Sequence, residues 1–167
     1  MELDTKVSAW SYQNMDGSNY SLAGADISIP LKNLNFGIFT GIGTSFKKGG
    51  TSGIVDLKGA YSFLDGKLNS NFRFRNKIGG QNRSSELRLQ PIALSLPICK
   101  NTNYYINPYY LYKYSYSSKE SSNKFGVYTG ITKKLGNTKL FLEGQLYDLK
   151  RITKETIGIN AGISYNF

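Results

Sequence analysis

Apolar residues recur at every second position through most of this 167-residue chain, and helical spacing is absent. In an extended strand successive side chains point to opposite faces. Sustained alternation therefore predicts an all-β chain whose sheet is apolar on one face and polar on the other. Ten alternating segments can be marked, at 4–13, 20–31, 34–46, 54–64, 67–77, 86–97, 103–117, 125–134, 139–149 and 156–167. In the third, Leu34, Phe36, Ile38, Thr40, Ile42, Thr44 and Phe46 share one face, and Asn35, Gly37, Phe39, Gly41, Gly43 and Ser45 share the other. In the fourth, Val55, Leu57, Tyr61 and Phe63 alternate with Asp56, Lys58, Ala60 and Ser62. Leu68, Phe72 and Phe74 oppose Asn69, Asn71, Arg73 and Arg75 in the fifth, and Leu140, Leu142 and Leu146 oppose Glu143, Gln145 and Tyr147 in the ninth. The first segment is ambiguous: either Val7 and Ala9, or Trp10 and Tyr12, belong to the apolar face.

The connections alternate too. Short ones fall at Leu31–Leu34, at Leu64–Lys67 around the hairpin-turn dipeptide Asp65-Gly66, at Pro97–Asn103, and at Leu135–Thr138 around Gly136-Asn137. Longer hydrophilic ones fall at 14–19, 47–53, 77–85, 117–124 and 150–155. A ten-stranded meander puts all the short turns and both termini at one end and the long loops at the other. Two prolines interrupt strands. Leu87 and Leu89 are apolar before Pro91, and Ile92, Leu94 and Leu96 after it, a phase shift of one that a bulge at Gln90–Pro91 would correct. Pro108 is a second, weaker bulge candidate.

Alternation does not say which face is buried. A soluble ten-stranded barrel binding an apolar ligand would turn its apolar face inward, and a membrane barrel would turn it outward. Three features favour the membrane arrangement. The polar face is rich in Gly, Asn and Ser, with charges of both signs clustered mid-strand, unlike a soluble exterior. The segments have about the length a tilted strand needs to cross a bilayer. Aromatics gather near segment ends on the apolar face, at Phe36, Phe46, Tyr61, Phe63, Tyr114, Tyr116, Tyr165 and Phe167, as in interfacial girdles. Mean hydropathy is negative and no apolar run is long enough for a membrane-spanning helix. The opening residues, MELDTKVSAW, lack the apolar core of a signal peptide, which leaves two readings: a chain that is not exported, or a mature form carrying an initiator Met.

The final segment ends GINAGISYNF, with Ile159, Ala161, Ile163 and Tyr165 alternating up to a terminal aromatic, Phe167. With that ending, the chain resembles bacterial outer-membrane β-barrel proteins over essentially its whole length, as a single domain spanning 1–167. The resemblance implies a ten-stranded antiparallel up-and-down transmembrane β-barrel in the outer membrane of a Gram-negative bacterium. It also implies that Ile159, Ala161, Ile163, Tyr165 and Phe167 form a recognition signal for the barrel-assembly machinery. No subfamily is singled out.

With the apolar face in lipid, the lumen would hold Asp26, Asp56, Lys58, Arg73, Arg75, Glu86, Arg88, Lys113, Glu143 and Asn160, together with Asn69, Asn71, Gln90 and Gln145. Four acids face five bases, and adjacent segments carry opposite signs. Two functions follow: a salt-bridged core that plugs the barrel, or a narrow porin-like channel slightly favouring anionic solutes. The net charge of +10, from 21 bases and 11 acids, calls for an anionic partner. Lys47, Lys48, Lys77, Arg83, Lys119, Lys124, Lys150, Arg151 and Lys154 are assigned to the long-loop end, where lipopolysaccharide phosphates would be their partners. Nucleic acid is not expected, because the bases are spread over all the loops and no oligonucleotide-binding motif is visible.

Catalysis is not expected either. The chain has no histidine, so the commonest general base and zinc ligand are missing. Small outer-membrane barrels that are enzymes, the omptin proteases, the phospholipase and the lipid A palmitoyltransferase, rely as families on a catalytic histidine. The one cysteine, Cys99, excludes an intrachain disulfide and a cysteine metal cluster. No cofactor is expected.

Overall fold

Each alternating segment forms one strand of a closed barrel in the computed structural model, which describes residues 3–15, 19–45, 50–80 and 83–167. The strands are β1 (Asp4–Asn14), β2 (Asn19–Leu31), β3 (Leu34–Ser45), β4 (Thr51–Phe63), β5 (Leu68–Ile78), β6 (Ser84–Cys99), β7 (Thr102–Ser115), β8 (Glu120–Leu135), β9 (Thr138–Leu146) and β10 (Ile157–Asn166). Each pairs antiparallel with the next. β1 closes on β10 in a register running from Lys6 opposite Asn166 to Asn14 opposite Gly158, so no sheet edge is left open. The Phe167 amide donates to the Thr5 carbonyl at 3.0 Å and extends the closure by one residue.

The short turns lie at one end. Gly136 and Asn101 take left-handed conformations (φ 58° and 64°) that suit glycine and asparagine in tight hairpins. At the other end the strands that flank 50, 79–83 and 116–119 run further than the hydrophilic stretches suggested, because polar residues there pair as strand, whereas the last connection, 147–156, is longer than expected. Thr51 sits opposite Thr44, Ser84 opposite Lys77, and Glu120 opposite Ser115. Polar residues at the strand ends look like loop in the sequence whether they face outward, as Thr51 does, or inward, as Ser84 does.

The ambiguity in β1 is resolved by packing. Val7 is exposed on the outside, and Trp10 packs inward against the buried cluster of Leu22, Phe39 and Ile54. In β6, Asn71 sits opposite Gln90 but Asn69 opposite Ala93, so β6 spends one more residue than β5 over the same span. Against β7 the same strand advances five residues, Leu89 to Leu94, while β7 moves four, Tyr110 to Ile106. The extra residue is the bulge anticipated at Pro91. Gln90 and Ala93 both end buried inside, with Pro91 and Ile92 exposed outside. Pro108 makes no bulge of its own: its pairing with Val127 on β8 is continuous, and on the β6 side it falls within the same interruption. Both prolines lacking a ladder donor thus share one gap.

Outside, the barrel is apolar. Ile38, Leu57, Phe72, Ile131, Leu142 and Ile159 stand 40–61% exposed around it. Aromatic pairs mark both ends. Tyr61–Phe63 (5.1 Å between ring centres) and Tyr165–Phe167 (5.2 Å) lie at the short-turn end, and Tyr114–Tyr116 (5.1 Å) lies at the other. Phe46 lies outside the described residues. A surface of this kind is stable against acyl chains and not against water. The facing is that of a transmembrane barrel, and it reverses the arrangement that a soluble carrier of an apolar ligand needs.

Candidate functional site

The lumen is organised by strand register, which places charged side chains in rows around the inside of the wall. One row runs Lys6, Asp26, Phe39, Asp56, Arg75, Glu86, Lys113 from β1 to β7. Signs alternate on either side of Phe39, and two neighbouring pairs, Asp56–Arg75 and Glu86–Lys113, form ion pairs. Arg75 binds Asp56 through two contacts of 2.7 Å, Nε to Oδ1 and Nη2 to Oδ2, with both side chains nearly buried. Glu86 forms ion pairs with Lys77 at 3.3 Å and Lys113 at 3.6 Å. Buried charges persist when paired in this way.

The adjacent row differs. Lys58, Arg73 and Arg88 lie directly opposite one another on β4, β5 and β6, followed by Leu111 on β7 and Lys124 on β8. Lys58 reaches across β3 to form an ion pair with Asp26. The strand it crosses carries Gly37, where an added Cβ would lie 3.3 Å from the Asp26 carboxylate. Among the described residues, Arg73 and Arg88 have no carboxylate within ion-pair distance, and the buried Nε of each has no hydrogen-bond acceptor. The Arg88 guanidinium lies 4.6 Å from the Tyr109 ring centre and 6.0 Å from that of Tyr128. Both rings are anchored, Tyr109 by a hydrogen bond from Gln145 (2.8 Å) and Tyr128 by one from Gln90.

One wall of the lumen is filled. Phe39 is fully buried, and its ring covers the facing glycines Gly24 and Gly41, where a Cβ would come within 2.5 and 2.8 Å of it. Leu22, Ile54, Trp10 and Tyr20 pack around it, with Trp10 and Phe39 ring centres 5.6 Å apart. The rest is open. A cavity of about 980 Å³ is lined from Lys6, Asn103, Lys139 and Ser164 near the short-turn end to Asn19, Lys77, Lys113 and Glu155 at the long-loop end.

Of the lumen residues expected from sequence, Asp26, Lys58, Arg73, Arg75, Glu86, Arg88, Lys113, Glu143 and Asn160 line this cavity, and Asp56 is buried behind Arg75. Among the described residues, Glu143 has no ion-pair partner. Tyr105 donates to it at 2.7 Å and Asn160 at 2.7 Å, because the adjoining strands present a phenol and an amide there. Lys77 and Lys124, assigned to loops, are strand residues of the lumen, and their ammonium groups sit 4.9 Å from the Tyr20 ring and 4.6 Å from the Tyr147 ring. Lys6, Lys139 and Glu155 also line the cavity. Counting Asp56, nine bases meet five acids, a larger basic excess than the sequence suggested. Parity was the usable signal: Lys77 continues the odd series of Arg73 and Arg75, and Lys124 is in phase with Tyr128.

Arg83, Lys119, Lys150, Arg151 and Lys154 are exposed at the long-loop end, while Lys47 and Lys48 lie outside the described residues. The short-turn end carries exposed lysines as well, at Lys32, Lys67, Lys100, Lys133 and Lys134, so basic charge is not confined to one end. Ile159, Ala161, Ile163, Tyr165 and Phe167 form the exposed outer face of β10 and its terminus.

No protein-family model matches the chain, and no curated protein matches it in sequence. Solved structures resemble it at low identity. A de novo designed transmembrane β-barrel is 12% identical over 98% of this chain and 95% of its own, with a TM-score of 0.47. The β-domain of the Bordetella autotransporter BrkA is 12% identical over the whole of both chains, with a TM-score of 0.47. OmpT, an outer-membrane protein of Vibrio cholerae, is 11% identical over 96% of this chain and 64% of its own, with a TM-score of 0.41.

Proposed function

We propose that the protein is an outer-membrane barrel whose lumen is a narrow, water-filled channel for small solutes, favouring anions. The observation that carries this reading is the cavity lined from one end of the barrel to the other, with more bases than acids on its wall. Barrels of eight strands are filled by their side chains and barrels of sixteen hold an aqueous channel. Ten strands fall between, and here the side chains leave a cavity of about 980 Å³ open. A cationic wall in a confined, low-dielectric passage raises the local concentration of anions. The exposed bases Arg83, Lys119, Lys150, Arg151 and Lys154 suit contact with lipopolysaccharide phosphates, and the β10 outer face suits recognition by the assembly machinery. The reading assigns no residue to catalysis and needs no cofactor or metal.

The test is single-channel recording in planar bilayers, on protein that needs detergent for extraction and migrates differently on a gel before and after heating. Discrete current steps with a reversal potential favouring chloride over potassium are expected. A folded protein giving no current step would leave a structural barrel as the alternative. Arg73→Glu should reduce or reverse the chloride preference, and unchanged selectivity would remove Arg73 from the conduction path.

A further inference from the structure

Cross-strand neighbours of like charge destabilise a sheet, yet the middle of this lumen sets Lys58, Arg73 and Arg88 side by side on β4, β5 and β6. Every carboxylate near them is committed elsewhere. Asp26 is bound to Lys58, Asp56 holds Arg75 with both carboxylate oxygens, and Glu86 takes Lys77 and Lys113. That leaves two arginines directly opposite one another on β5 and β6, each with an unsatisfied buried Nε–H and each lining the cavity. The edge of a guanidinium that carries Nε–H is one that binds a carboxylate or phosphate in bidentate fashion. Arg75 uses that edge on Asp56, and Arg73 and Arg88 hold it uncommitted.

We propose that Arg73 and Arg88 form a binding site for a phosphate-type oxyanion, with Arg88 held in place against Tyr109 and Tyr128. Residues directly opposite on adjacent strands bring their Cβ atoms to about 5 Å, close enough for two forks to grip one tetrahedral anion from two sides. Lys58 adds a third positive charge in the same row, partly offset by Asp26. The bound anion removes the repulsion within the row and supplies the missing acceptors. The surrounding cavity leaves room for a small organic group on the phosphate, so the occupants are inorganic phosphate or a small monophosphate ester. This deepens the channel reading by naming its solute class, and its test does not depend on conduction.

The experiment is calorimetric titration of the detergent-folded barrel with inorganic phosphate, at constant ionic strength in chloride. Saturable one-to-one binding is expected in the wild type, weakened at least tenfold in both Arg73→Gln and Arg88→Gln. Arg88→Lys keeps the charge and loses the fork, so it should also weaken phosphate binding while the chloride preference of the channel is kept. The gel shift between unheated and heated samples verifies that each variant is folded. Competition by glycerol 3-phosphate would make the ester the occupant, and its failure to compete would make it the free anion. Absence of saturable binding in the wild type would overturn the site, as would glutamine variants that bind phosphate as well as the wild type. Phosphate binding in a barrel that passes no current would retain the site and reject the channel.

Discussion

The two walls of this lumen are built on opposite principles. On β1–β4, Trp10, Leu22, Phe39 and Ile54 make a small apolar core inside the barrel, with the Asp56 end of the Asp56–Arg75 pair buried beside it. On β5–β10, tyrosines, amides and charges face a cavity, which Lys6, Asp26 and Lys58 join from β1, β2 and β4. The same alternation writes both walls, so the difference comes from which residue occupies the lumenal parity. An aromatic above a glycine pair fills space, as Phe39 does over Gly24 and Gly41, whereas Asn107, Thr132 and Asn160 leave it.

Three substitutions probe that division. Phe39→Ala should have the largest effect. It should cost ~4 kcal/mol in denaturant titration of folding into micelles and raise single-channel conductance, because the emptied volume joins the path. An unchanged stability would mean that the inner core is not structural. Asp56→Asn should come next, at ~3 kcal/mol, since it leaves the buried Arg75 unpaired. Adding Arg75→Gln should recover most of that loss, and a double variant no better than the single would show that the pair does not act as a unit. Lys113→Gln, on the open wall, should cost under ~1 kcal/mol, because its ammonium is partly exposed and Glu86 keeps Lys77. A loss as large as that at Asp56 would erase the contrast between the walls.

Much of the architecture was legible in the residues. Alternation fixed the ten strands and their order, and the phase slip across Pro91 gave the bulge, because a period of two makes a single inserted residue visible. Register was not legible. Residues 56, 58, 73, 75, 86 and 88 read as opposite charges on neighbouring strands, but a shift of two residues in register decides whether Arg73 meets Asp56 or Lys58. Pairing sets Arg73 against Lys58 and Arg88, and so creates the unpaired row. The inward turn of Lys77 and Lys124 was obscured for another reason: polar residues near a connection look like loop whichever way they point. The lining by Tyr105 and Tyr128 carried no distinct signal, because a tyrosine in an alternating strand suits an interface as well as a lumen.

The side placement of Phe39 and its neighbours has a consequence for how this chain can change over evolutionary time. Residues in mutual contact respond to substitution jointly, and separated residues respond nearly additively. A replacement at Gly24, Gly41 or Trp10 is constrained by what Phe39 will accommodate, so that wall can vary only through coordinated changes. Cavity-lining positions such as Asn103, Asn107 and Thr132 face open space and can be exchanged one at a time. The barrel thus keeps a conservative wall that holds its shape beside a permissive one on which new solute preferences can be tried singly.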